Sequence, residues 1–261
     1  MKKVCVTGGS GFIGSHFIKL IEQKYEVYNY DSKEGYDIRG MLPYTEFDYI
    51  VHFAAMRSVS EGEKYPKDYI EVNCWGTMNM LVRNPKARFI NISSSSVNDV
   101  RSVYGATKQF SESVVSMRPN NLNIRLYNVF GEGQPMDSNS VIVNFIKCRR
   151  DGEIATIYGD GTQSRDFTYV GDVVESIKHV MESNQTGTVH FGYGTSISIK
   201  ELFNLICFCK KEYISKPMRS FEITHSKSPT KMPVVKYGRK RGLKRTLKWY
   251  DDARARVCIE G

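Results

Sequence analysis

The sequence predicts an α/β fold, a doubly wound parallel sheet with a small, partly irregular C-terminal lobe. Three observations carry that expectation. The apolar run Val4-Cys5-Val6 passes through the cluster Thr7-Gly8-Gly9-Ser10-Gly11-Phe12-Ile13-Gly14 straight into an amphipathic stretch at residues 16–24. Strand-like and helix-like segments then alternate through the first 130 residues, the order a parallel sheet with right-handed crossovers requires. The chain is 261 residues long, 41% hydrophobic and 25% charged, which suits one α/β domain or one domain with an added lobe.

The first strand ends in the glycine turn. Glycines there permit unusual torsions and let phosphate oxygens approach the backbone N–H groups and helix N-terminus, as a pyrophosphate requires. The spacing Gly8-x-x-Gly11-x-x-Gly14 departs from the common G-x-G-x-x-G. Residues 25–31 read as a second strand ending in an acid. Asp31 falls about 20 residues past the glycines, where a carboxylate can accept from both ribose hydroxyls of an adenosine. Its charge would repel a 2′-phosphate, so NAD is favoured over NADP, although Lys33 lies close by. A simple turn acid at a strand end is the alternative.

Residues 48–55 form an apolar strand ending in Ala54 and Ala55, whose small side chains leave room for a cofactor lying across a sheet edge. Residues 66–82 read as one helix, residues 89–92 as a buried strand running into Ser93-Ser94-Ser95-Ser96, and residues 103–117 as a helix. A strand at 123–129 completes the alternation. Beyond it, helices are expected at 140–150, 172–183, 198–209 (capped by Ser198) and 243–256. Extended segments are expected at 154–158, 168–170 and 189–191, with irregular structure over 216–232 around three prolines.

No apolar run approaches the ~18 residues of a membrane helix, and no long apolar region precedes the glycines, so neither a membrane span nor a secretory signal is expected. The six cysteines contain no C-x-x-C pair and have no His-rich partner segment, which argues against zinc and against a disulfide framework, and no metal site is expected. Reduced thiols in the cytoplasm are the simple reading. The formal charge of +9 is concentrated in Lys236, Arg239, Lys240, Arg241, Lys244, Arg245 and Lys248. A surface attracting a nucleotide diphosphate, or a solvated helix face, is expected there rather than nucleic-acid contact.

Tyr104 and Lys108 are four residues apart on an expected helix and share one face. A tyrosine acts as a general base only if its pKa falls from about 10, which a neighbouring ammonium favours. Ser94, at the end of the neighbouring strand, can donate to the same substrate oxygen. By itself Y-x-x-x-K is a common surface pattern. Together with the glycine turn, Asp31, Asp37-Ile38, His52-Phe53-Ala54-Ala55, Asn73, Gly76-Thr77 and the segments 125–131 and 158–173, it resembles the extended short-chain dehydrogenase/reductase family, in its nucleotide-sugar epimerase and dehydratase branch.

The resemblance implies a Rossmann-type fold with bound NAD. It implies that Gly8, Gly11, Phe12, Ile13 and Gly14 bind the pyrophosphate, Asp31 the adenosine ribose, and Asp37 and Ile38 the adenine. Phe53, Ala54 and Ala55 would line the cofactor channel, Lys108 would hold the nicotinamide ribose, and Tyr127 would pack near the nicotinamide end. Ser94, Tyr104 and Lys108 are the implied catalytic set. Ser94, Asn128 and Arg165 are the implied substrate ligands, with a salt bridge to Asp160 or Asp166 as the alternative for Arg165. Residues 1–130 with 165–192 would form the NAD-binding domain, and 131–164 with 193–261 the lobe for a nucleotide-diphosphate sugar. A homodimer through the helices at 66–82 and 104–117 is also implied.

The chain departs from the family pattern in three places. The segments from Asp31 to Tyr49 and from Ser94 to Tyr104 are short, and the last third has no match to the Arg and Asp pair that grips the nucleoside; Arg219, Lys227 and Lys231 lie there without fitting it. Dehydratases and decarboxylases of this branch resemble one another in carrying acids just after the catalytic Ser or Thr, where this chain has Ser95 and Ser96. The expected reaction is therefore epimerisation at sugar C4 through a transient 4-keto intermediate. A net keto-reductase, a 4,6-dehydratase and a catalytically silent binding protein are the alternatives.

Overall fold

The computed structural model describes residues 1–41, 45–207, 213–218 and 223–260, with side chains described as far as residue 252. In chain order the elements are β1 (Lys3–Thr7), α1 (Phe12–Ile21), β2 (Glu26–Tyr30), β3 (Tyr49–His52), α2 (Val59–Lys64) and α3 (Pro66–Tyr69). A π-helical turn (Ile70–Gly76) leads into α4 (Thr77–Arg83), followed by β4 (Arg88–Ser94), α5 (Val103–Ser116), β5 (Leu122–Leu126) and β6 (Val129–Phe130). Then come α6 (Val141–Asp151), β7 (Ala155–Tyr158), β8 (Ser164–Arg165), β9 (Thr168–Tyr169), α7 (Val170–Glu182) and β10 (Gly187–Phe191). The chain closes with β11 (Ile197–Ser198), α8 (Ile199–Ile206), β12 (Tyr213–Lys216), β13 (His225–Ser226) and α9 (Gly238–Glu260).

Two compact units result: Met1–Leu126 with Val174–Phe191, and Tyr127–Val173 with Gly192–Gly261. The first holds a six-stranded sheet in the order β10-β5-β4-β3-β1-β2, parallel throughout. Its central strands are apolar on both faces, with Val4, Val6, Ile50, Val51, Phe89, Ile90, Leu122 and Ile124 fully buried. That pattern belongs to a parallel sheet covered by helices on both sides. This is the α/β fold the alternation predicts.

The second unit carries small sheets, β11-β8-β13, β12-β7 and β6-β9. Two buried carboxylates organise it. Asp172 accepts the Tyr193 hydroxyl at 2.6 Å and the backbone N–H groups of Lys236, Tyr237 and Gly238 at 2.8–2.9 Å. Asp166 accepts the N–H groups of Tyr193 and Gly194 and pairs with Arg239 at 3.1 Å. The Asp172 bonds explain why α9 starts at Gly238, five residues before the expected boundary. A carboxylate from far along the chain satisfies N–H groups that a helix start would otherwise leave open.

Three other elements differ from expectation. Helix α1 begins at Phe12 rather than residue 16, directly on the glycine turn. Helix α2 is present although no helix is expected at that point; Ser58 caps it by accepting from Glu61 N–H. The helix expected over 66–82 is interrupted by the π turn, whose carbonyl at Asn73 accepts the hydroxyls of Thr77 (2.7 Å) and Ser111 (2.9 Å). Hydroxyl donors of this kind satisfy a backbone group freed from the regular ladder. In the stretch read as irregular, β13 pairs with β8. Arg219 and Cys209 lie outside the described residues, as does the side chain of Cys258.

Candidate active site

The glycine turn is built by close backbone approach. Gly8 has φ +70°, and a Cβ on it would lie 2.6 Å from Ala54 N; a Cβ on Gly14 would lie 2.3 Å from the Gly8 carbonyl oxygen. No side chain caps α1 at Gly11. The first N–H groups of a ten-residue helix thus have no side-chain cap and follow a turn of closely approached glycines, the chemistry that a pyrophosphate fits. Phe12 and Ile13 are the first residues of that helix.

Asp31 is buried, and its two carboxylate oxygens accept from Lys33 N–H (2.9 Å) and Ser10 N–H (3.0 Å). The acid at the end of β2 is thus tied to the phosphate turn. Each oxygen keeps a lone pair for another donor. Asp37 is exposed, and its carboxyl is held below the usual range by Arg39, which sits 2.6 Å away. Ile38 is buried with its side chain against Gly76, and its carbonyl accepts from Asn79.

Phe53, Ala54 and Ala55 follow β3 and remain partly exposed. The next loop is clamped. Asn73 accepts from Met56 N–H at 2.8 Å and donates to Met56 O at 3.0 Å, while the Tyr69 hydroxyl donates to Ser58 O at 2.6 Å. Arg57 lies between these two clamps and is exposed.

Ser94 and Tyr104 meet. The last residue of β4 is hydrogen-bonded to the tyrosine near the start of α5. Ser94 Oγ also donates to Ser96 Oγ (3.1 Å) and accepts Ser96 N–H (3.2 Å). Desolvation raises the pKa of Tyr104; the Ser94 bond and the Arg57 charge act against it. The sequence reading assigns the acidifying charge to Lys108; in the structure the charge that acts on Tyr104 in that direction is that of Arg57. Lys108 is buried one turn further along α5, and burial lowers its pKa to about 8 against the opposing pull of Glu112. Glu112, another turn on, is also buried. It accepts Ser93 Oγ at 2.5 Å and pairs with Arg125 at 2.7 Å. Tyr104, Lys108 and Glu112 thus form a ladder at i, i+4 and i+8 on one helix face.

In the second unit Tyr127 is fully buried, and its carbonyl accepts the Thr168 hydroxyl. Asn128 is exposed at φ +32°, the one positive φ outside glycine among the described residues. Arg165 Nη1 donates to the carbonyls of Ser164 (2.9 Å) and Thr224 (3.2 Å). Asp166 is paired with Arg239, and Asp160 accepts from Thr162.

Sequence reasoning missed Arg57 and Glu112 as members of this site. Glu112 had a signal, an acid four residues past Lys108. Arg57 had none, because only the fold brings its loop towards Tyr104. Among the described residues no group of three His, Cys, Asp or Glu is placed to hold a metal, and no helix is long and apolar enough to cross a membrane.

Comparison with known proteins finds relatives both by sequence and by structure. The chain is 31% identical to UDP-glucuronic acid decarboxylase 6 of Arabidopsis thaliana, with 77% of this chain and 72% of that protein covered. It is 29% identical to a putative UDP-glucose 4-epimerase of Methanocaldococcus jannaschii, covering 78% and 81%. Its structure is similar to that of a UDP-N-acetylglucosamine 4-epimerase from Methanobrevibacter ruminantium M1, at 26% identity and a TM-score of 0.84, covering 97% and 99%. The family model described as the NAD dependent epimerase/dehydratase family matches residues 4–193, a span that contains the glycine turn, Asp31, Ser94, Tyr104 and Lys108. The chain belongs to the NAD dependent epimerase/dehydratase family, and NAD is its cofactor.

Proposed function

We propose that the protein is an NAD-dependent nucleotide-sugar epimerase acting at sugar C4 through a transient 4-keto sugar. One observation supports this most: Tyr104 is bonded to Ser94, with only hydroxyl side chains, Ser95 and Ser96, at the two positions that follow. A 4,6-dehydratase needs a base for C5 and a decarboxylase a partner for the sugar carboxylate, and a serine hydroxyl is no base near neutral pH. This favours epimerisation even though a decarboxylase is among the relatives.

In this reading residues 1–130 with 165–192 bind NAD. Gly8, Gly11, Phe12, Ile13 and Gly14 hold the pyrophosphate, Asp31 the adenosine ribose, Asp37 and Ile38 the adenine, and Lys108 the nicotinamide ribose. Phe53, Ala54 and Ala55 line the channel, and Tyr127 serves the nicotinamide end. With its side chain packed against Gly76, Ile38 meets the adenine through its backbone. NAD supplies a reversible hydride acceptor when bound.

Tyr104, as phenolate, takes the proton of the sugar 4-hydroxyl and returns it to the same oxygen after the keto sugar has presented its other face. Ser94 donates a hydrogen bond to that oxygen. Residues 131–164 with 193–261 bind the nucleotide diphosphate, and Asn128 and Arg165, just outside those bounds, are further substrate ligands; a guanidinium fork matches phosphate oxygens. The test is a thermal-shift panel of UDP-, GDP-, CDP- and dTDP-sugars, followed by NMR of the product of any hit. The expected product is the C4 epimer with no net NADH. Net NADH turnover would move the assignment to a keto-reductase, and a C5–C6 unsaturated or 4-keto-6-deoxy product to a dehydratase.

A cytoplasmic homodimer completes the proposal. Ile70, Val82 and Phe110 are large apolar side chains left exposed on the helices at 66–83 and α5, and Met117, also exposed, directly follows α5; such side chains suit an apolar interface. Light scattering is expected to give twice the chain mass, and Val82→Glu with Met117→Glu is expected to give the single-chain mass. A wild-type monomer at micromolar concentration would remove the dimer.

A further inference from the structure

His52, at the end of β3, is fully buried and has no part in the chemistry above, yet both of its ring nitrogens are engaged. Nδ1 lies 2.7 Å from Thr7 Oγ1 and Nε2 lies 2.9 Å from Thr77 Oγ1. The neighbouring bonds decide which nitrogen carries the hydrogen. Thr77 donates its hydroxyl hydrogen to Asn73 O at 2.7 Å, so Thr77 Oγ1 faces His52 as an acceptor and Nε2 is the donor. Nδ1 is then the acceptor for the Thr7 hydroxyl, and Thr7 Oγ1 accepts Ala54 N–H at 3.3 Å. In the opposite tautomer Asn73 O would lose the Thr77 hydrogen, and the Thr7 hydroxyl would have no acceptor among the described bonds.

A directional chain therefore runs from Ala54 N–H through Thr7, His52 and Thr77 to Asn73 O. Each end touches something the reaction needs. Ala54 N packs against Gly8 so closely that a Cβ there would come within 2.6 Å. Asn73 holds α5: its carbonyl accepts Ser111 Oγ (2.9 Å) and its amide donates to Thr107 Oγ1 (3.0 Å). Thr107 precedes Lys108, and its hydroxyl donates to Tyr104 O at 2.9 Å. Burial keeps the imidazole neutral, and the Lys108 charge acts in the same direction.

We propose that His52, as a neutral imidazole with its hydrogen on Nε2, is a positioning residue that joins the cofactor turn to the helix carrying Tyr104 and Lys108. The idea rests on the glycine turn as the NAD site, but not on the sugar or on the reaction at C4. It is tested by two readouts that need no sugar substrate, one on the NAD-loaded protein and one on protein freed of NAD. Nitrogen-15 NMR at neutral pH is expected to show the Nε2–H tautomer with Nδ1 as acceptor. Calorimetric titration of NAD is expected to show His52→Phe binding about ten- to hundredfold more weakly, since two buried hydroxyls lose their partner. His52→Gln, which keeps a donor and an acceptor, restores most of that loss, and Thr7→Val with His52→Phe is no weaker than His52→Phe alone. An Nδ1–H tautomer or an imidazolium overturns the proposal, as do unchanged NAD affinity in His52→Phe or additive losses in the double variant. Should His52→Phe fail to fold, Thr7→Val and the tautomer carry the test: unchanged NAD affinity in Thr7→Val overturns it equally.

Discussion

Replacing Tyr104 by phenylalanine is expected to lower turnover of any accepted sugar nucleotide by about a thousandfold. NAD affinity should stay within about twofold, because the ring remains and only the hydroxyl is lost. The bond to Ser94 goes with that hydroxyl, so Ser94→Ala added to Tyr104→Phe should cost little more. The pH profile supplies a second check. Desolvation raises the phenol and Arg57 opposes it, so removing that cation stabilises the protonated form. Arg57→Met should move the rising limb of the wild-type profile to higher pH, read from kcat between pH 6 and 10. Unchanged turnover in Tyr104→Phe would end the proposed mechanism.

Lys108→Met is expected to separate stability from activity. The amine titrates near 10.5 in an unfolded chain and is lowered to about 8 by burial in the fold. Between those values the unfolded chain binds the extra proton, so wild-type stability rises as pH climbs from about 8 to 10.5. Below that window the full cost of burying an ammonium is present. Methionine removes the cost and keeps the stem, while Arg125 still pairs Glu112. The variant should gain up to ~3 kcal/mol in urea titrations at pH 7, and the gain should shrink towards pH 10.5. Turnover should fall about a hundredfold and NAD binding should weaken. A lower midpoint than wild type at pH 7 would mean that Lys108 is structurally required.

The parts legible in the sequence were those whose chemistry is local. The glycine turn, Asp31 at a strand end, the Ser198 cap of α8 and the four-residue spacing of Tyr104 and Lys108 each depend on a few neighbouring residues. That the sheet is parallel and covered by helices followed from alternation alone, whereas its strand order did not. What stayed hidden depends on partners far along the chain. The start of α9 is set by Asp172, some sixty residues earlier. The π turn needs Ser111 from another helix, and His52 becomes significant only once Thr7 and Thr77 flank it. Ile38 shows the converse case. A motif match placed it by the adenine, and packing committed its side chain to Gly76.

The π turn also sets a phase. Each residue advances an α-helix by about 100°, so one extra residue in the backbone ring rotates everything downstream by that angle relative to a regular helix. Here the rotation falls between Tyr69 and Thr77, so Tyr69 points at Ser58 while Thr77 reaches His52. One run of chain thereby serves two sets of contacts that an uninterrupted helix could not face together. Deleting a single residue from Ile70–Gly76 would relieve the local irregularity and misdirect one of those sets, a loss that inspection of either end by itself would not reveal.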